Sequence, residues 1–260
     1  MKIGFIDSGI GGLSVMKAFI SYPILADYFY IADTAHLPYG LKTHDYIHDR
    51  VEKLTHYLIN THHIDCLVIA CNTATAISAE KLRKQMPNFP IIGIEPAIKP
   101  AALASKSKEI AILATTSMIN NPRLTRLIHE FASDVSVIKI AADRWVTLVE
   151  QGIFSGPKAD AAIHETLQPL SDHSIDQLIL GCTHFPFLET ELRSILNSEI
   201  VLVNPAAAVA KHTLHSLDQH HIEANTSSTY HYLTTGDLKH FQHQISPLQM
   251  PEGAVCTLAV

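Results

Sequence analysis

The sequence lacks several features that mark whole classes of protein. No run of about 18 apolar residues occurs, so a membrane span is not expected. The N-terminus does not have the form of a signal peptide, because Asp7 interrupts the first apolar run after a few residues. The net charge of −6 argues against a nucleic-acid surface, which usually needs a basic patch.

Cysteine is also scarce, and its spacing argues against two kinds of site. The four cysteines form no C-x-x-C pair, which a disulfide oxidoreductase usually carries. Neither Cys71 nor Cys182 has the three or four close ligands that a zinc site needs. Cysteines without close pairing fit a reducing cytoplasm better than a disulfide framework, so we expect a cytoplasmic protein. Cys66 is expected in the core, whereas Cys256 has no evident role.

What the sequence does contain is a repeated alternation of short apolar strands and helices. The 260 residues are 47% hydrophobic, which is enough to build a substantial core. Ile47, Val51, Leu54 and Leu58 recur at helical spacing and define an apolar helix face. Repeated strand–helix units require parallel sheets with right-handed crossovers, so the fold class is predicted to be α/β.

Two proline-containing segments interrupt this alternation. Residues 95–100 carry two prolines and are predicted to form a crossover without a helix. Asn204-Pro205 is predicted to be the return crossover. The sequence therefore predicts two pseudo-symmetric α/β domains with mainly parallel sheets, residues 1–95 plus 207–260 and residues 96–206. The active site is expected in the interdomain cleft.

Each predicted domain contains one apolar strand that runs into a cysteine. The two segments are Val68-Ile69-Ala70-Cys71-Asn72-Thr73 and Leu178-Ile179-Leu180-Gly181-Cys182-Thr183-His184. Ligands bind at the carboxyl edge of open α/β sheets. A thiol just before a helix N-terminus also feels the helix dipole, which favours the thiolate. Inert core cysteines are the alternative, but the polar residues that follow each thiol favour two half-sites.

Other segments allow both a structural and a functional interpretation. The turn Asp7 to Gly12 precedes a helix predicted over residues 13–20, ahead of Pro23, and either holds an anion or only makes a tight turn. His44 and His48 have metal-ligand spacing, but without a third partner a solvated face is favoured. Asn121-Pro122 predicts the start of a helix that runs to Phe131.

Two thiols on opposite walls of a cleft suit a proton transfer that inverts a carbon stereocentre. Such a reaction needs a base on one face and an acid on the other, and the two groups exchange roles in the reverse direction. Cysteine serves both purposes, because its pKa of about 8.5 can be tuned toward neutrality. Asp7 is placed in sequence to assist one thiol and His184 the other.

Six short motifs stand in order along nearly the whole chain. They are Ile6 to Gly12, Asp33 to Gly40, Ala70 to Thr75, Leu148 to Gly152, Leu180 to His184 and Thr234 to Asp237. Together they resemble the glutamate racemase family, within the cofactor-independent aspartate/glutamate racemases. Any one motif is modest as a signal, whereas the set is highly specific.

The resemblance implies a racemase that interconverts L- and D-glutamate without a cofactor and without a metal. Cys71 would exchange the proton of the D-enantiomer and Cys182 that of the L-enantiomer. Asp7 and His184 would support these thiols, with Glu150 as a more distant acid. The implied substrate contacts are Asp7, Ser8, Pro38, Tyr39, Gly40, Asn72, Thr73, Thr115, Thr183 and His184.

The resemblance also implies a biological role and a set of partners. D-glutamate would be supplied for bacterial peptidoglycan, and hence for cell-wall biogenesis and cell shape. Glutamate would be the small-molecule partner, with neither nucleic acid nor membrane involved. The sequence does not determine the oligomeric state, and a homodimer is compatible with it.

The chain departs from the usual family pattern at four positions. Ser117 and Met118 stand where glycine and a second threonine are usual, Arg123 stands for a tyrosine and Asn204 for an aspartate. Loss of the second threonine removes one expected ligand of a substrate carboxylate. Two alternatives therefore stay open: a racemase for another amino acid, such as aspartate, or a non-catalytic ligand-binding paralogue.

Overall fold

The computed structural model describes residues 1–22 and 24–260. Pro23, the residue ahead of which the first helix was expected to end, lies outside the described residues. The chain divides into two compact units. The first unit comprises Met1–Ile94 and Ala206–Val260, and the second unit comprises Glu95–Pro205.

Strands and helices alternate along both units. The strands are β1 Lys2–Asp7, β2 Asp27–Ala32, β3 Cys66–Ile69, β4 Ile91–Gly93, β5 Glu109–Ala114, β6 Ser136–Ala141, β7 Gln177–Leu180, β8 Val201–Val203, β9 Thr229–Thr234 and β10 Ala254–Thr257. The α-helices are α1 Leu13–Ile20, α2 His44–Tyr57, α3 Asn72–Gln85, α4 Ile98–Ala104, α5 Thr116–Ile119, α6 Pro122–Phe131, α7 Asp143–Glu150, α8 Pro157–Leu167, α9 Glu189–Ile195, α10 Ala206–Gln219 and α11 Leu238–Ile245.

Each unit is built on one parallel sheet. In the first unit the strand order is β10-β9-β2-β1-β3-β4, and in the second it is β6-β5-β7-β8. All the strand pairs described are parallel. The predicted α/β class with mainly parallel sheets is therefore confirmed. Parallel strands end at the same edge, so residues that follow β1, β2 and β3 are brought together.

The core of the first unit forms where helix faces cover the sheet. The apolar face of α2, with Ile47, Val51 and Leu54, is at most 1% exposed and packs in one cluster with Ile69 and Cys71. Cys66 is fully buried at the start of β3, as expected. The core cluster that contains β3 therefore also contains Cys71, which lies two residues after the end of β3.

The core of the second unit lies under β5 and β7. Residues 110–114 of β5 are fully buried, and so are Leu178 and Ile179 of β7. Trp145 on α7 and Phe185 are also fully buried. The predicted start of α6 is confirmed, because the Asn121 side chain accepts a hydrogen bond from the Arg123 N–H at 2.8 Å and Pro122 is the first helical residue.

Three features of the fold differ from the sequence-based expectation. Residues 98–104 form α4, although the segment 95–100 was predicted to be a non-helical crossover. Pro100 is the third residue of α4, where a backbone N–H would have no partner within the helix, so proline is tolerated. The short helix α5 and the edge strand β10 were not predicted: α5 is only four residues long, and none of the residues of β10 is buried.

None of the helices in the described ranges combines the length and the apolarity that a bilayer crossing requires.

Candidate active site

The first half-site lies where β1 and β3 end. Asp7 is the last residue of β1 and is fully buried, and Cys71 follows β3 at the N-cap position of α3. The Ser8 Oγ lies 3.9 Å from the Cys71 Sγ. The Asp7 carboxylate accepts a hydrogen bond from the Gly9 N–H at 3.0 Å. Cys71 therefore stands at the positive end of a 14-residue helix, as predicted.

The turn after β1 is held close to this thiol. A Cβ atom added to Gly12 would lie 2.7 Å from the Asp7 Cβ and 2.9 Å from the Ala70 Cβ. Only a glycine allows α1 to begin so near the ends of β1 and β3. This close packing accounts for the glycine at position 12 without a bound anion.

The first two residues of α3 present buried polar side chains. Asn72 and Thr73 are 5% and 6% exposed. Neither the Nδ2 nor the Oδ1 atom of Asn72 has a hydrogen-bond partner among the described residues. A buried amide without a partner costs free energy, so such groups are normally satisfied by something. Asn72 is therefore a candidate for binding a polar ligand.

The loop after β2 is fixed by a buried ion pair. The Arg50 Nη2 and Nε donate to the Oδ1 and Oδ2 of Asp33 at 2.8 Å and 3.1 Å. The Tyr39 hydroxyl donates to the same carboxylate at 2.6 Å. Burial and the Asp33 charge raise the Tyr39 pKa well above its usual value, so its proton stays in place. In the same loop Pro38 is exposed and Gly40 is half-buried.

Arg50 was not identified from the sequence, although a signal exists. It lies three residues after Ile47 and four before Leu54, and thus on the apolar face of α2. A charged side chain on a buried helix face needs a partner, because desolvation of an unpaired charge is costly. That partner, Asp33, is 0% exposed. The Tyr39 hydroxyl gives its proton to the same carboxylate, and its oxygen keeps the capacity to accept a hydrogen bond.

The second half-site begins directly after β7 but differs from the first in local structure. Cys182 is not followed by an α-helix, because a 3₁₀ turn over Phe185–Leu188 precedes α9. The expectation that a helix dipole acts on both thiols is wrong for Cys182. Its neighbourhood is instead set by a side chain: the Cys182 Sγ lies 3.5 Å from the Nδ1 atom of His184.

His184 joins Cys182 to an acid. Its Nε2 atom lies 2.7 Å from the Oε1 atom of Glu150, the last residue of α7. His184 and Glu150 are 2% and 7% exposed, so Glu150 is a buried partner and not a solvated surface acid. Burial lowers the pKa of His184, but hydrogen bonds and charge from Cys182 and Glu150 outweigh it and raise the pKa well above its usual value.

The remaining predicted contacts of the second half-site lie after β5 and β7. Thr115 caps α5, and its hydroxyl accepts a hydrogen bond from the Met118 N–H at 3.3 Å. Thr183 is 3% exposed beside Cys182. Thr116, which follows Thr115, donates its N–H to the Asp143 carboxylate at 3.0 Å. This hydrogen bond fixes the turn after β5 to α7.

The structure shows the surroundings of two positions that depart from the family pattern, Met118 and Arg123. The Met118 side chain is buried, at 2% exposure, in the second unit. The Arg123 guanidinium pairs with Glu95 at 2.7 Å. Both partners of this pair are about one-third exposed, so it contributes little to stability.

No cluster of three or more His, Cys, Asp or Glu side chains suited to a metal ion occurs in the ranges 1–22 and 24–260. His44 is exposed, and His48 is half-buried on the same helix.

The two half-sites are chemically different. One thiol stands at a helix N-terminus beside the Ser8 hydroxyl, and the other contacts a buried histidine that is hydrogen-bonded to a buried glutamate. Both arrangements are ways to hold a thiol ready for proton exchange.

Comparison with known proteins shows similarity over almost the full length. Residues 24–213 match the family model described as Asp/Glu/Hydantoin racemase. A glutamate racemase of Ectopseudomonas mendocina is 38% identical over 253 residues, which is 97% of this chain and 95% of that protein.

Solved structures show the same relationship. A glutamate racemase isoform of Bacillus anthracis superposes with a TM-score of 0.89 at 28% identity, over 99% of this chain and 97% of that one. The Escherichia coli glutamate racemase in complex with L-glutamate and the activator UDP-MurNAc-Ala gives a TM-score of 0.87 at 29% identity, covering 100% and 98% of the two chains.

Proposed function

The chain belongs to the glutamate racemase family and is an amino-acid racemase, and from this premise we propose that it interconverts L- and D-glutamate by proton transfer between two cysteines. The observation that carries the proposal is the hydrogen-bonded chain from the partly exposed Cys182 to the buried His184 and Glu150. A thiol that contacts a buried histidine–carboxylate pair is suited to proton exchange, whereas a cysteine that only packs in a core needs no such partner.

In the L-to-D direction the Cys182 thiolate removes the α-proton of L-glutamate. The C–H electron pair stays on the substrate as a carbanion, whose charge spreads onto the α-carboxylate. The Cys71 thiol then delivers its own proton to the opposite face of the α-carbon, which gives D-glutamate and a Cys71 thiolate. In the reverse direction the two thiols exchange roles. The mechanism requires both half-sites to reach one α-carbon.

Each thiol has its own support in this scheme. His184 stands between the Cys182 sulfur and the Glu150 carboxylate and is positioned to exchange a proton with Cys182. Cys71 has the N-terminus of α3 and the Ser8 hydroxyl as its neighbours, and we assign Asp7 to the same half-site. The unequal supports suggest that the two proton transfers have unequal barriers.

The polar groups assigned to the substrate need no cofactor. We infer that the Asn72 amide and the Thr73, Thr115 and Thr183 hydroxyls bind the ammonium and carboxylate groups of glutamate. Preorganised donors near the α-carboxylate also stabilise the carbanion, because they need not reorganise during the reaction. Asn72 has the clearest support, since neither polar atom of its side chain has a hydrogen-bond partner in the ranges 1–22 and 24–260.

The biological role follows from the product. We propose that D-glutamate made by this enzyme enters peptidoglycan synthesis in the cytoplasm and thereby contributes to the cell wall and cell shape. A homodimer stays a prediction.

The test is α-proton exchange in D₂O with L- and D-glutamate. We expect the wild type to incorporate deuterium into both enantiomers and to abolish the circular dichroism of L-glutamate. The racemisation rate should fall by about 10²–10⁴-fold in Cys71→Ala and in Cys182→Ala, the usual effect of losing a general acid/base. Retained turnover in both variants would overturn the two-cysteine mechanism.

The same assay separates the two alternatives. L-aspartate in place of glutamate tests the racemase for another amino acid, and a preference for aspartate would support it. Thermal stabilisation by glutamate without any α-proton exchange would instead identify a non-catalytic ligand-binding protein.

A further inference from the structure

Helix α7 carries the acid of the Cys182 half-site, and the position of the helix determines the direction of that carboxylate. Glu150 is the last residue of α7, and its Oε1 atom meets the His184 Nε2 atom at 2.7 Å. His184 lies in the turn after β7, which is a separate part of the second unit. A rotation or shift of α7 would therefore lengthen the Glu150–His184 hydrogen bond. The length of this hydrogen bond therefore depends on contacts that fix α7 relative to the turn after β7.

Trp145 makes the contacts that hold α7. Its side chain is fully buried, and its ring meets Phe185 edge to face, with ring centroids 5.1 Å apart and an interplanar angle of 71°. Phe185 directly follows His184. Edge-to-face pairs of this kind are attractive beyond the burial of apolar area. The Trp145 indole thus packs against Phe185, the residue next to His184. His184 is the hydrogen-bond partner of Glu150 on α7.

The polar end of the same indole is anchored to a third element. The Trp145 Nε1–H donates to the Thr166 Oγ1 at 3.0 Å and to the Ala162 carbonyl oxygen at 3.3 Å, both on α8. The Thr166 hydroxyl in turn donates to the Ala162 carbonyl oxygen at 2.8 Å. These hydrogen bonds fix the rotation of the Trp145 ring. They also fix its distance from α8.

The turn that receives these contacts is itself closed by backbone hydrogen bonds. The Phe185 N–H donates to the Cys182 carbonyl oxygen, and the Phe187 N–H donates to the His184 carbonyl oxygen, both at 3.2 Å. A displacement of Phe185 would therefore be transmitted to Cys182 and His184 together.

We propose that Trp145 is a positioning residue for the Cys182 half-site, which locks α7 to α8 and to the 185–188 turn so that Glu150 stays hydrogen-bonded to His184. This inference rests on the proposed function. Trp145 does not touch the substrate in this scheme and acts only through Glu150 and His184. Its loss should impair one of the two proton transfers and leave the other intact.

The experiment uses deuterium at the α-carbon of each enantiomer. The primary isotope effect is measured with L- and D-[2-²H]glutamate for the wild type, Trp145→Phe, Trp145→Leu and Phe185→Leu. In Trp145→Leu we expect kcat to fall about tenfold and the isotope effect to rise with L-glutamate, because proton removal by Cys182 becomes rate-limiting. With D-glutamate, where Cys71 removes the proton, the isotope effect should fall toward one.

Four variants make the result specific to positioning. Trp145→Phe keeps the ring contact and loses the bonds to α8, so a smaller change in the same direction is expected. Glu150→Gln should reproduce the isotope-effect pattern, and Trp145→Leu combined with it should change kcat little further, because both act through one hydrogen bond. Phe131→Leu, a ring at the end of α6, is the control for general destabilisation and should leave both isotope effects at the wild-type values.

The outcomes separate this inference from the proposed function. A wild type without α-proton exchange would overturn the proposed function and this inference with it. An active wild type whose Trp145→Leu variant loses activity with unchanged isotope effects would overturn the positioning role alone. If Trp145→Leu does not fold, Phe185→Leu removes the same ring contact, and the fluorescence of Trp145, the only tryptophan of the chain, reports whether that variant is native.

Discussion

Among single residues, Asn72 shows a conflict between stability and function. Its amide is buried, and within the described part of the chain neither polar atom finds a partner. An unsatisfied buried polar group costs about 1–3 kcal/mol. In this interpretation the folded protein accepts that cost so that the amide can bind a charged group of the substrate.

We therefore expect Asn72→Ala to bind glutamate more weakly without losing stability. A hydrogen bond to a charged group contributes about 1.5–3 kcal/mol, so KM should rise roughly 10- to 100-fold. The free energy of unfolding should stay unchanged or increase. Steady-state kinetics and urea unfolding of the same preparation measure the two effects.

A matched control lies on the same helix. The Thr75 hydroxyl is buried and donates to the Ile69 carbonyl oxygen at 3.0 Å. Thr75→Val should therefore lower the free energy of unfolding by about 1 kcal/mol and leave KM unchanged. An Asn72→Ala variant that resembles Thr75→Val in both respects would remove Asn72 from the substrate site.

The charge on His184 should make stability depend on pH. Its pKa in the folded protein is raised well above the usual 6.5. A raised pKa in the folded state adds stability that is fully present below about pH 6.5 and is lost as the pH rises through the folded-state value. The difference in unfolding free energy between the wild type and His184→Gln should therefore shrink above pH 6.5, by at most about 1.4 kcal/mol per pH unit. A difference that grows with pH would contradict the charged histidine.

The residues that define the chemistry were partly visible in the sequence. Cys71 and Cys182 could be found because each ends an apolar strand and precedes polar residues. The Glu150–His184 bond could not be predicted from spacing, because the two residues are 34 positions apart and meet only through the packing of α7. The family resemblance supplied these residues, and the structure supplies their geometry.

At the level of strands and helices, Gly181 shows how tightly the end of β7 is packed. A Cβ atom there would lie 2.7 Å from the backbone carbonyl oxygen of Leu113, which cannot move without moving β5. Gly181 also donates its N–H to the same oxygen at 2.7 Å. The residue before Cys182 therefore needs to be glycine for the strand end to sit where it does.

Gly181→Ala should consequently push Cys182 away from its working position. Overpacking of this kind costs about 1–3 kcal/mol of stability. A displacement of about 1 Å can lower a reaction rate by 10²-fold, so kcat should fall much further than the loss of stability explains. Thermal unfolding and racemisation kinetics provide the comparison. If the variant unfolds at a lower temperature than the wild type but racemises glutamate at the wild-type rate, the end of β7 does not position the Cys182 thiol.

Regular elements with strong periodicity were the ones that the sequence predicted well. Helix α6 follows from Asn121-Pro122, and α2 follows from the spacing of Ile47, Val51 and Leu54. Helix α4 was missed because its proline was interpreted as a helix breaker, although the first turn of a helix tolerates proline. The turn after Cys182 was expected to lead straight into an α-helix, and local sequence alone did not distinguish the 3₁₀ turn from one.

For the whole molecule, the proposed mechanism requires that one substrate engage groups from both units. Asn72 belongs to the first unit, whereas Thr115 and Thr183 belong to the second. A ligand that binds only the folded state stabilises it by about 2.7 kcal/mol at 100 times its Kd. If both units contribute to binding, glutamate must raise the unfolding temperature of both.

The single tryptophan makes this prediction testable unit by unit. Trp145 lies in the second unit, so its fluorescence reports only that unit, while far-UV circular dichroism reports both. We expect saturating L-glutamate to shift both transitions upward in the Cys71→Ala/Cys182→Ala variant, in which no turnover changes the ligand during the scan. Addition of Asn72→Ala should reduce both shifts, because weaker binding in one unit lowers the total binding free energy. A shift of the circular dichroism transition with unchanged fluorescence would mean that the first unit binds glutamate alone. In that case the second thiol would not share the substrate, and the two-base scheme would fail.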